Sequence, residues 1–222
     1  MSPRPELGHI RRPQIIRAAQ ATIHERGYAE TRIVDIAKRA GMSPATILYY
    51  FESKEKLLEE ALTRSDESFY TTLRAELDGI QSASEQLVHL IERCSLPSSP
   101  LDDWTLWMEM WIQVRHRSHL RGLYERLEHI GQQPMIVAII QRGQDRGEFS
   151  SAADPEAVAT MLSALIDGLG VQVTLGYTDV TGERMARLCL AAAADALEFM
   201  PRPRISAGAG RQSAGAAAGS DD

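Results

Sequence analysis

The sequence predicts an all-α protein in which an N-terminal three-helix head with a helix-turn-helix precedes a larger helical-bundle C-terminal domain, with about nine helices in all. Apolar residues recur at spacings of three and four along most of the 222-residue chain, which is the period of an amphipathic helix. No stretch alternates polar and apolar residues over the length of a useful strand. Segment 33–54 contains two short helical patterns separated by a glycine, which is typical of a helix-turn-helix.

The first helix of this motif has a single apolar face with the spacing i, i+3, i+4 and i+7. Its residues are Ile33, Ile36, Ala37 and Ala40. Gly41 follows, and glycine readily takes the left-handed conformation that ends a helix. Ser43 can then cap the next helix, and Pro44 suits its first turn, where no backbone N–H is needed.

The second helix of the motif should have two sides with different roles. Three apolar residues are expected to face inward: Ile47, Leu48 and Phe51. Three other residues lie on another side and are free to face a partner: Thr46, Tyr49 and Tyr50. Because the second helix of a helix-turn-helix enters the DNA major groove, we expect this polar side to contact DNA.

Charge is distributed unevenly along the chain. Residues 1–50 contain eight Lys or Arg and four acidic residues, a net charge of +4, so the remainder carries −10 within a total of −6. A basic head on an acidic body suits a protein that places one end on DNA phosphates. We divide the chain into a flexible basic arm (1–12), a helix-turn-helix domain (13–57), a helical body (58–200), for which a family resemblance implies ligand binding and dimerisation, and a disordered tail (201–222). Arg4, Arg11 and Arg12 either touch DNA as well or belong to a frayed terminus.

Start and stop signals place the remaining helices. The first should run over about 13–26 and end at Gly27, and Thr31 should cap the second. Ser53 should cap a fourth helix that continues to about residue 80. The body is expected to contain helices at about 84–94, 102–116, 118–146, 155–175 and 181–200. Pro134 should kink or divide the third of these.

Several classes of protein are disfavoured. The polar N-terminus does not resemble a signal peptide, and we expect no apolar run long enough to cross a bilayer, so the sequence predicts a cytoplasmic protein without a membrane partner. Cys94 and Cys189 do not suggest a disulfide framework. His116 and His119 are flanked by arginines and provide too few ligands for a metal. We therefore expect no metal, no cofactor and no enzymatic activity.

From about residue 13 to 62 the chain resembles the TetR family of transcriptional regulators. The motifs are a first helix that ends in Gly-Tyr, the segment IVDIAKRAG and the run YYFESKEKL. The body resembles, more loosely, the BetI-like branch through WTLWMEMW, GQDRGEF, DPEAVA and LIDGL. The resemblance implies a homodimeric repressor whose C-terminal domain binds a small molecule, which releases the operator. BetI-like proteins include sensors of choline-type ligands.

The motif also indicates which residues contact DNA. Family members often carry tyrosine at the position of Leu48, so contacts of that tyrosine are not transferred to Tyr49 or Tyr50. Thr46 and Tyr49 are the candidates for base edges, and Tyr50 and Lys54 for phosphates. Both tyrosines have an alternative role in packing against the first helix. The full predicted DNA-binding set is Thr31, Arg32, Ser43, Pro44, Ala45, Thr46, Tyr49, Tyr50 and Lys54.

Ligand sensing is expected in the body, where Trp104, Trp107 and Trp111 share one helix face. They are either core residues or the aromatic wall of a pocket, where an organic cation would lie over a ring face. Asp167 stands in an apolar segment and belongs either to the scaffold or to that pocket. Asp102 and Asp103 are further candidates for an acidic contribution. The full predicted pocket is Trp104, Trp107, Met108, Trp111, Met135, Ile139, Met161, Leu165, Asp167 and Gln172.

Dimerisation should use the last two long helices, where small residues allow close approach. The predicted interface contains Ala164, Gly168, Val171, Leu188, Ala191, Ala192, Asp195 and Ala196. Two copies would form a four-helix interface, which suits an operator with two-fold symmetry. The function predicted from these features is a ligand-responsive repressor. An activator and a ligand-independent DNA-binding protein remain the alternatives.

Overall fold

The computed structural model describes residues 4–96, 104–128, 131–177 and 179–201, and within these ranges it contains ten helices and no strand. They are α1 (Arg4–Glu30), α2 (Ile33–Ala40), α3 (Pro44–Phe51), α4 (Lys54–Asp78), α5 (Ala83–Ser95), α6 (Thr105–His116), α7 (Ser118–Glu128), α8 (Gln132–Asp145), α9 (Pro155–Thr174) and α10 (Gly182–Leu197). A head of three helices precedes a larger helical body, so the predicted fold class is confirmed. The predicted tail lies outside the described residues from 202 onward.

The helix α1 begins at Arg4, well before the predicted start at Pro13, and includes residues that we expected in the basic arm. Proline is favoured in a first turn, but a helix can also continue through it when one backbone hydrogen bond is given up. The helical geometry breaks at Gly27, as predicted, where φ is 79° and ψ is 162°. A side chain at this φ would be strained, which explains the glycine.

Arg12 joins the first helix to the rest of the head. Its guanidinium forms an ion pair with Glu60 of α4 and donates a hydrogen bond of 2.8 Å to the Tyr50 carbonyl oxygen. It also lies 4.2 Å from the ring centroid of Phe51. Arg12 therefore fastens α1 to α3 and α4.

The helix-turn-helix follows the sequence signals closely. Gly41 ends α2 in the left-handed conformation with φ 66°. At this C-terminal end, the carbonyls of Ala37 and Lys38 accept backbone hydrogen bonds. The Ser43 hydroxyl caps α3 by accepting a hydrogen bond of 3.1 Å from the Thr46 N–H. These caps fix the turn between the two helices.

Two predicted details of the head are wrong. Leu48 is 43% exposed, whereas Ile47 and Phe51 are buried, because residues four apart share a helix face and Leu48 is rotated away from it. Thr31 does not cap α2, because Arg32 occupies that position and makes no side-chain cap. The Thr31 hydroxyl instead donates to the Gly27 carbonyl across the break in α1.

The helix α4 connects the head with the body. Its 25 residues span about 37 Å at 1.5 Å per residue. Leu57, Leu58 and Leu62 at its start are buried in the head core, whereas Leu73 and Leu77 near its end are buried in the body core. One continuous helix therefore contributes to both cores.

The predicted long helix over 118–146 is divided into α7 and α8. Gly131 occupies the N-cap position of α8, and Pro134 lies in its first turn, where a missing N–H has no cost. This division, which the sequence allowed as one of two outcomes, explains why the described residues contain ten helices rather than about nine. The helix α8 packs against α5 and α9 in the body core.

The helix α9 is more apolar than expected. Among the described residues it alone is long and apolar enough to cross a membrane by length and composition, which corrects the expectation that no such run exists. Buried residues such as Leu162, Ile166 and Leu169 pack one side of it against the body core. Its opposite side remains exposed in the single chain, with Met161 42% exposed and Ala164 and Gly168 also open.

Candidate DNA-binding surface and effector cavity

The exposed side of α3 presents the predicted polar aromatic residues. Tyr49 is 79% exposed, and its ring packs edge-on against Tyr50 at a centroid distance of 5.4 Å. Tyr50 is half-buried and packs against the head core, so it also has the packing role that we considered. Leu48, beside Tyr49, is the exposed residue that sequence reasoning missed, because an apolar side chain was assumed to face inward.

The first turn of α3 carries three further predicted DNA contacts at its surface. Ser43, Pro44 and Ala45 are exposed, and the Ser43 and Thr46 hydroxyl oxygens lie 2.9 Å apart. Thr46 is half-buried. The N-terminus of a helix favours an anion, so this turn has the polarity that a DNA phosphate requires.

The remaining predicted DNA contacts differ in their availability. Arg32 is exposed, and the Lys54 ammonium donates a weak hydrogen bond of 3.3 Å to the Ala29 carbonyl, which leaves further donors free. The Thr31 side chain is fully buried with its hydroxyl bonded to Gly27. Thr31 therefore cannot offer that hydroxyl to a phosphate, so the structure does not support the predicted contact between Thr31 and DNA.

The body contains a cavity with aromatic walls. It encloses about 710 Å³, including its open mouth, and is lined by Asp66, Tyr70, Trp107, Trp111, Tyr124, Gly131, Gln132, Gln133, Ser163 and Asp167. The Trp107 ring lies 5.3 Å from the ring of Tyr70, measured between centroids. The Trp111 indole N–H donates to the Tyr124 hydroxyl at 2.9 Å. Four aromatic side chains from three helices therefore surround one space.

Two carboxylates line the same cavity. Asp66 is 6% exposed, and burial, followed by the nearby charge of Glu67, raises its pKa to about 8. Burial also raises the pKa of Asp167 to about 6, although a hydrogen bond from Gln132 opposes that shift. Asp66 Oδ1 and Ser163 Oγ have no hydrogen-bond partner among the described residues. Buried polar atoms without partners are costly and suit a site that a ligand completes.

The structure brings only part of the predicted pocket together. Trp107, Trp111 and Asp167 line the aromatic cavity. Trp104 is buried in the body core, where its indole N–H donates to the Cys94 carbonyl at 3.2 Å and its ring fills the space beside Gly170. Asp102 and Asp103 lie outside the described residues.

Six other predicted pocket residues lie elsewhere. Met108 on α6 is half-buried and does not line the cavity. Met135 and Ile139 line a second cavity between α4 and α8. Met161 is exposed, Leu165 packs against the body core, and the Gln172 amide donates to the Gly168 carbonyl.

The cavity residues that sequence reasoning missed include Asp66, Tyr70 and Tyr124. Asp66 lies four residues from Leu62 and from Tyr70, within a buried stripe of α4. An acidic residue in an apolar helical stripe is a signal that could have been found. Tyr124 gave no such signal, because its position depends on how α7 packs against α6.

The helix α6 also touches the head. Leu106 and Met110 are buried in the head core, on the face of α6 next to the one that carries the cavity residues Trp107 and Trp111. The Glu109 carboxylate accepts a hydrogen bond of 3.2 Å from the Tyr28 backbone N–H, next to the break in α1. One helix thus contacts the cavity and the first helix of the head.

The predicted dimer residues lie on the outer sides of α9 and α10. Ala164, Gly168, Ala191 and Asp195 are exposed, and Leu188 is 43% exposed. Val171, Ala192 and Ala196 are half-buried. A side chain built at Gly168 would meet nothing within 4 Å, so this face is open in the single chain.

A helix-turn-helix head joined by α4 and α6 to a body with an internal cavity defines a DNA-binding transcriptional regulator. Family comparison gives the same result. Residues 15–61 match the model of bacterial regulatory proteins of the tetR family, and residues 83–198 match the C-terminal domain of BetI-type transcriptional repressors. The chain belongs to the TetR family of transcriptional regulators, with a BetI-type C-terminal domain.

Individual relatives agree with this assignment. The BetI 1 regulator of Chromohalobacter salexigens is 30% identical, over 83% of this chain and 90% of its own. The BetI regulator of Burkholderia thailandensis is 25% identical, over 90% of this chain and 99% of its own. A transcriptional regulator from Saccharomonospora viridis, solved in complex with choline, is 36% identical with a TM-score of 0.75, over 83% of this chain and 95% of its own. The predicted function, a ligand-responsive transcriptional regulator, is therefore confirmed at the level of class.

Proposed function

We propose that this protein is a cytoplasmic homodimeric repressor that binds a two-fold operator through α3 and leaves it when a small organic cation enters the aromatic cavity. The cation belongs to the choline class, which carries a quaternary ammonium group. The proposal rests mainly on the lining of that cavity. Four aromatic rings and two carboxylates surround the space, and no lysine or arginine occurs among the described residues that line it.

The chemistry of this lining favours a cation over an anion or a neutral ligand. An ammonium group is attracted to the faces of Trp and Tyr rings, and each good contact contributes roughly 0.5–2 kcal/mol. Asp167 adds opposite charge, and Asp66 adds it once a bound cation has displaced its proton. A bound cation lowers the pKa of both carboxyl groups, because it stabilises their ionised forms. The relative from Saccharomonospora viridis that was solved with choline supports the same ligand class.

The homodimer is part of the proposal because the operator is expected to have two-fold symmetry. The open small-residue face of α9 and α10 supports it, since helices approach closely where side chains are small. Tyr49, Thr46 and the first turn of α3 would contact base edges and phosphates in each half-site. Tyr50, Lys54 and Arg32 would add contacts to the DNA backbone.

The proposed effector response is tested with operator DNA in a gel shift. Choline is added to the full-length protein, and 3,3-dimethylbutanol, which has the same shape without the charge, serves as the ligand control. We expect choline to release the operator and the neutral analogue to have at least about a tenfold weaker effect. Equal effects of the two compounds, or none from choline, would contradict a cation site.

A pair of variants assigns the effect to the cavity. Asp167→Asn removes a carboxylate that lines it, whereas Glu183→Gln removes an exposed carboxylate on α10 that does not. We expect about a tenfold loss of choline affinity in the first variant, because a charge-assisted contact is removed, and little change in the second. Binding is followed by tryptophan fluorescence, since Trp107 and Trp111 line the site.

A further inference from the structure

A second cavity lies between the C-terminal half of α4 and α8, away from the head. It encloses about 1040 Å³, including its open mouth, and is lined by Arg74, Leu77, Asp78, Ile80, Gln81, Gln86, Pro134, Met135, Ala138, Ile139, Arg142 and Arg146. It shares no lining residue with the aromatic cavity. Its chemistry is also different, because basic rather than acidic residues dominate it.

The rim of this cavity is positively charged. Three arginines line it together with a single acid, Asp78, so its formal charge is +2 within a body that is acidic overall. Arg142 donates a hydrogen bond of 2.8 Å to the side-chain oxygen of Gln86, and Arg146 donates to the Gln81 carbonyl. Both acceptors are neutral. Among the described residues, neither of these two arginines forms an ion pair with a carboxylate.

Gln86 fixes the position of the rim. It is 8% exposed, and its amide donates to the carbonyls of Leu77 and Ile80 at 3.0 and 2.8 Å. Its oxygen is then directed to Arg142. A guanidinium has five N–H donors in a planar fork, so Arg142 keeps donors for another acceptor while its orientation is fixed.

The floor of the cavity is apolar. Leu77, Ile80, Met135 and Ile139 are each at most 8% exposed, and Ala138 leaves space beside them. The sequence predicts Met135 and Ile139 in the wall of the ligand pocket, whereas the structure places them in the lining of this second cavity. A charged rim over an apolar floor matches a ligand with an anionic head and an alkyl chain.

We propose that this cavity binds a medium-chain aliphatic carboxylate. The carboxylate accepts hydrogen bonds from Arg142 and Arg146, whose forks match its two oxygens. The alkyl chain covers the floor formed by α4 and α8. This site is independent of the proposed effector response, because it uses different residues and a ligand of opposite charge.

The test uses decanoate and isothermal titration calorimetry of the full-length protein at sub-millimolar ligand. We expect one saturable site per chain, with acetate at least about tenfold weaker because it lacks the buried chain. Decyl phosphate serves to separate a carboxylate site from a general anionic-amphiphile site. Tighter binding of the phosphate than of decanoate would overturn the assignment to carboxylates.

Variants locate the binding. The double substitution Arg142→Gln with Arg146→Gln should weaken decanoate about tenfold or more, whereas Arg121→Gln, an exposed arginine on α7, should not. Ala138→Phe retains the arginines and fills the floor, so it should also weaken decanoate without a change in the thermal melt. Unchanged binding in folded samples of both cavity variants would overturn the proposal. So would competition between choline and decanoate that follows a single shared site.

Discussion

At the scale of single residues, Asp66 shows how burial changes chemistry. It lies in a cavity with aromatic walls, it has an oxygen without a partner, and its pKa is raised to about 8. A proton therefore stays on Asp66 in the folded chain at pH values where the unfolded chain has lost it. The carboxyl group contributes most to stability below pH 4, and that contribution falls as the pH rises until it levels off above about 8.

We predict that Asp66→Asn removes this pH dependence. Between pH 5 and 8 the free energy of unfolding of the unmodified protein should fall by up to about 1.4 kcal/mol per pH unit through this group. The variant should show a shallower slope and greater stability at pH 8. Urea unfolding at pH 6 and 8 measures both quantities, and Glu183→Gln, an exposed carboxylate on α10 that is not among the groups shifting the pKa of Asp66, is the control. Equal slopes in the two variants would mean that Asp66 ionises normally.

Tyr49 is the second informative residue, because most of its side chain is exposed and its ring packs only edge-on against the neighbouring Tyr50. We predict that Tyr49→Ala weakens operator binding by about tenfold or more while the thermal melt changes little, since it removes a base contact in each half-site. A gel shift on operator DNA measures this effect. Ile10→Ala, on an exposed residue of α1, is the matched control. Unchanged affinity of folded Tyr49→Ala would exclude Tyr49 from the interface.

At the scale of elements, α6 connects ligand chemistry with the head. One face carries Trp107 and Trp111, and the adjacent face carries Leu106 and Met110, which are buried in the head core. Its Glu109 accepts a hydrogen bond from the Tyr28 N–H, next to the non-helical backbone of Gly27 in α1. A shift of α6 would therefore act directly on the break in the first helix of the head.

We predict that Glu109→Ala uncouples the two sites. Choline affinity should change by less than about twofold, because Glu109 does not line the cavity, but its effect on operator affinity should fall by about fivefold or more. Fluorescence titration and gel shift measure the two quantities separately. Glu125→Ala, an exposed carboxylate on α7, is the control. A full operator response in Glu109→Ala would exclude this contact from the coupling.

At the scale of the whole molecule, the sequence was sufficient for the fold and for the helix-turn-helix that carries the candidate DNA contacts. Short-range signals determine those features, such as the glycine break at Gly27 and the Ser43 cap of α3. The cavities depend on how distant helices pack, which periodicity does not report. Trp104 and Trp107 share a helix face in the sequence, yet only Trp107 reaches the aromatic cavity, because Trp104 fills space beside Gly170.

The proposed dimer gives a prediction at this same scale. Gly168→Glu should convert it to a monomer, because a charge would be buried between two copies of α9. The chain itself has room for the new side chain, since nothing lies within 4 Å of that position, so the fold should persist. Light scattering measures the mass, with Ala75→Glu on the exposed side of α4 as the control. A Gly168→Glu variant of unchanged mass would exclude this face.

The open face of α9 and α10 has a consequence for regulation in the cell. Its exposed Met161 and Leu188 give the single chain apolar surface that the proposed dimer would cover. Mass action then links the folded population, operator occupancy and the number of protein copies. In a cell that makes few copies, a larger fraction of the protein would be single chains, each able to fill only one operator half-site. The amount of repressor would therefore set the sensitivity to effector alongside the effector's own affinity.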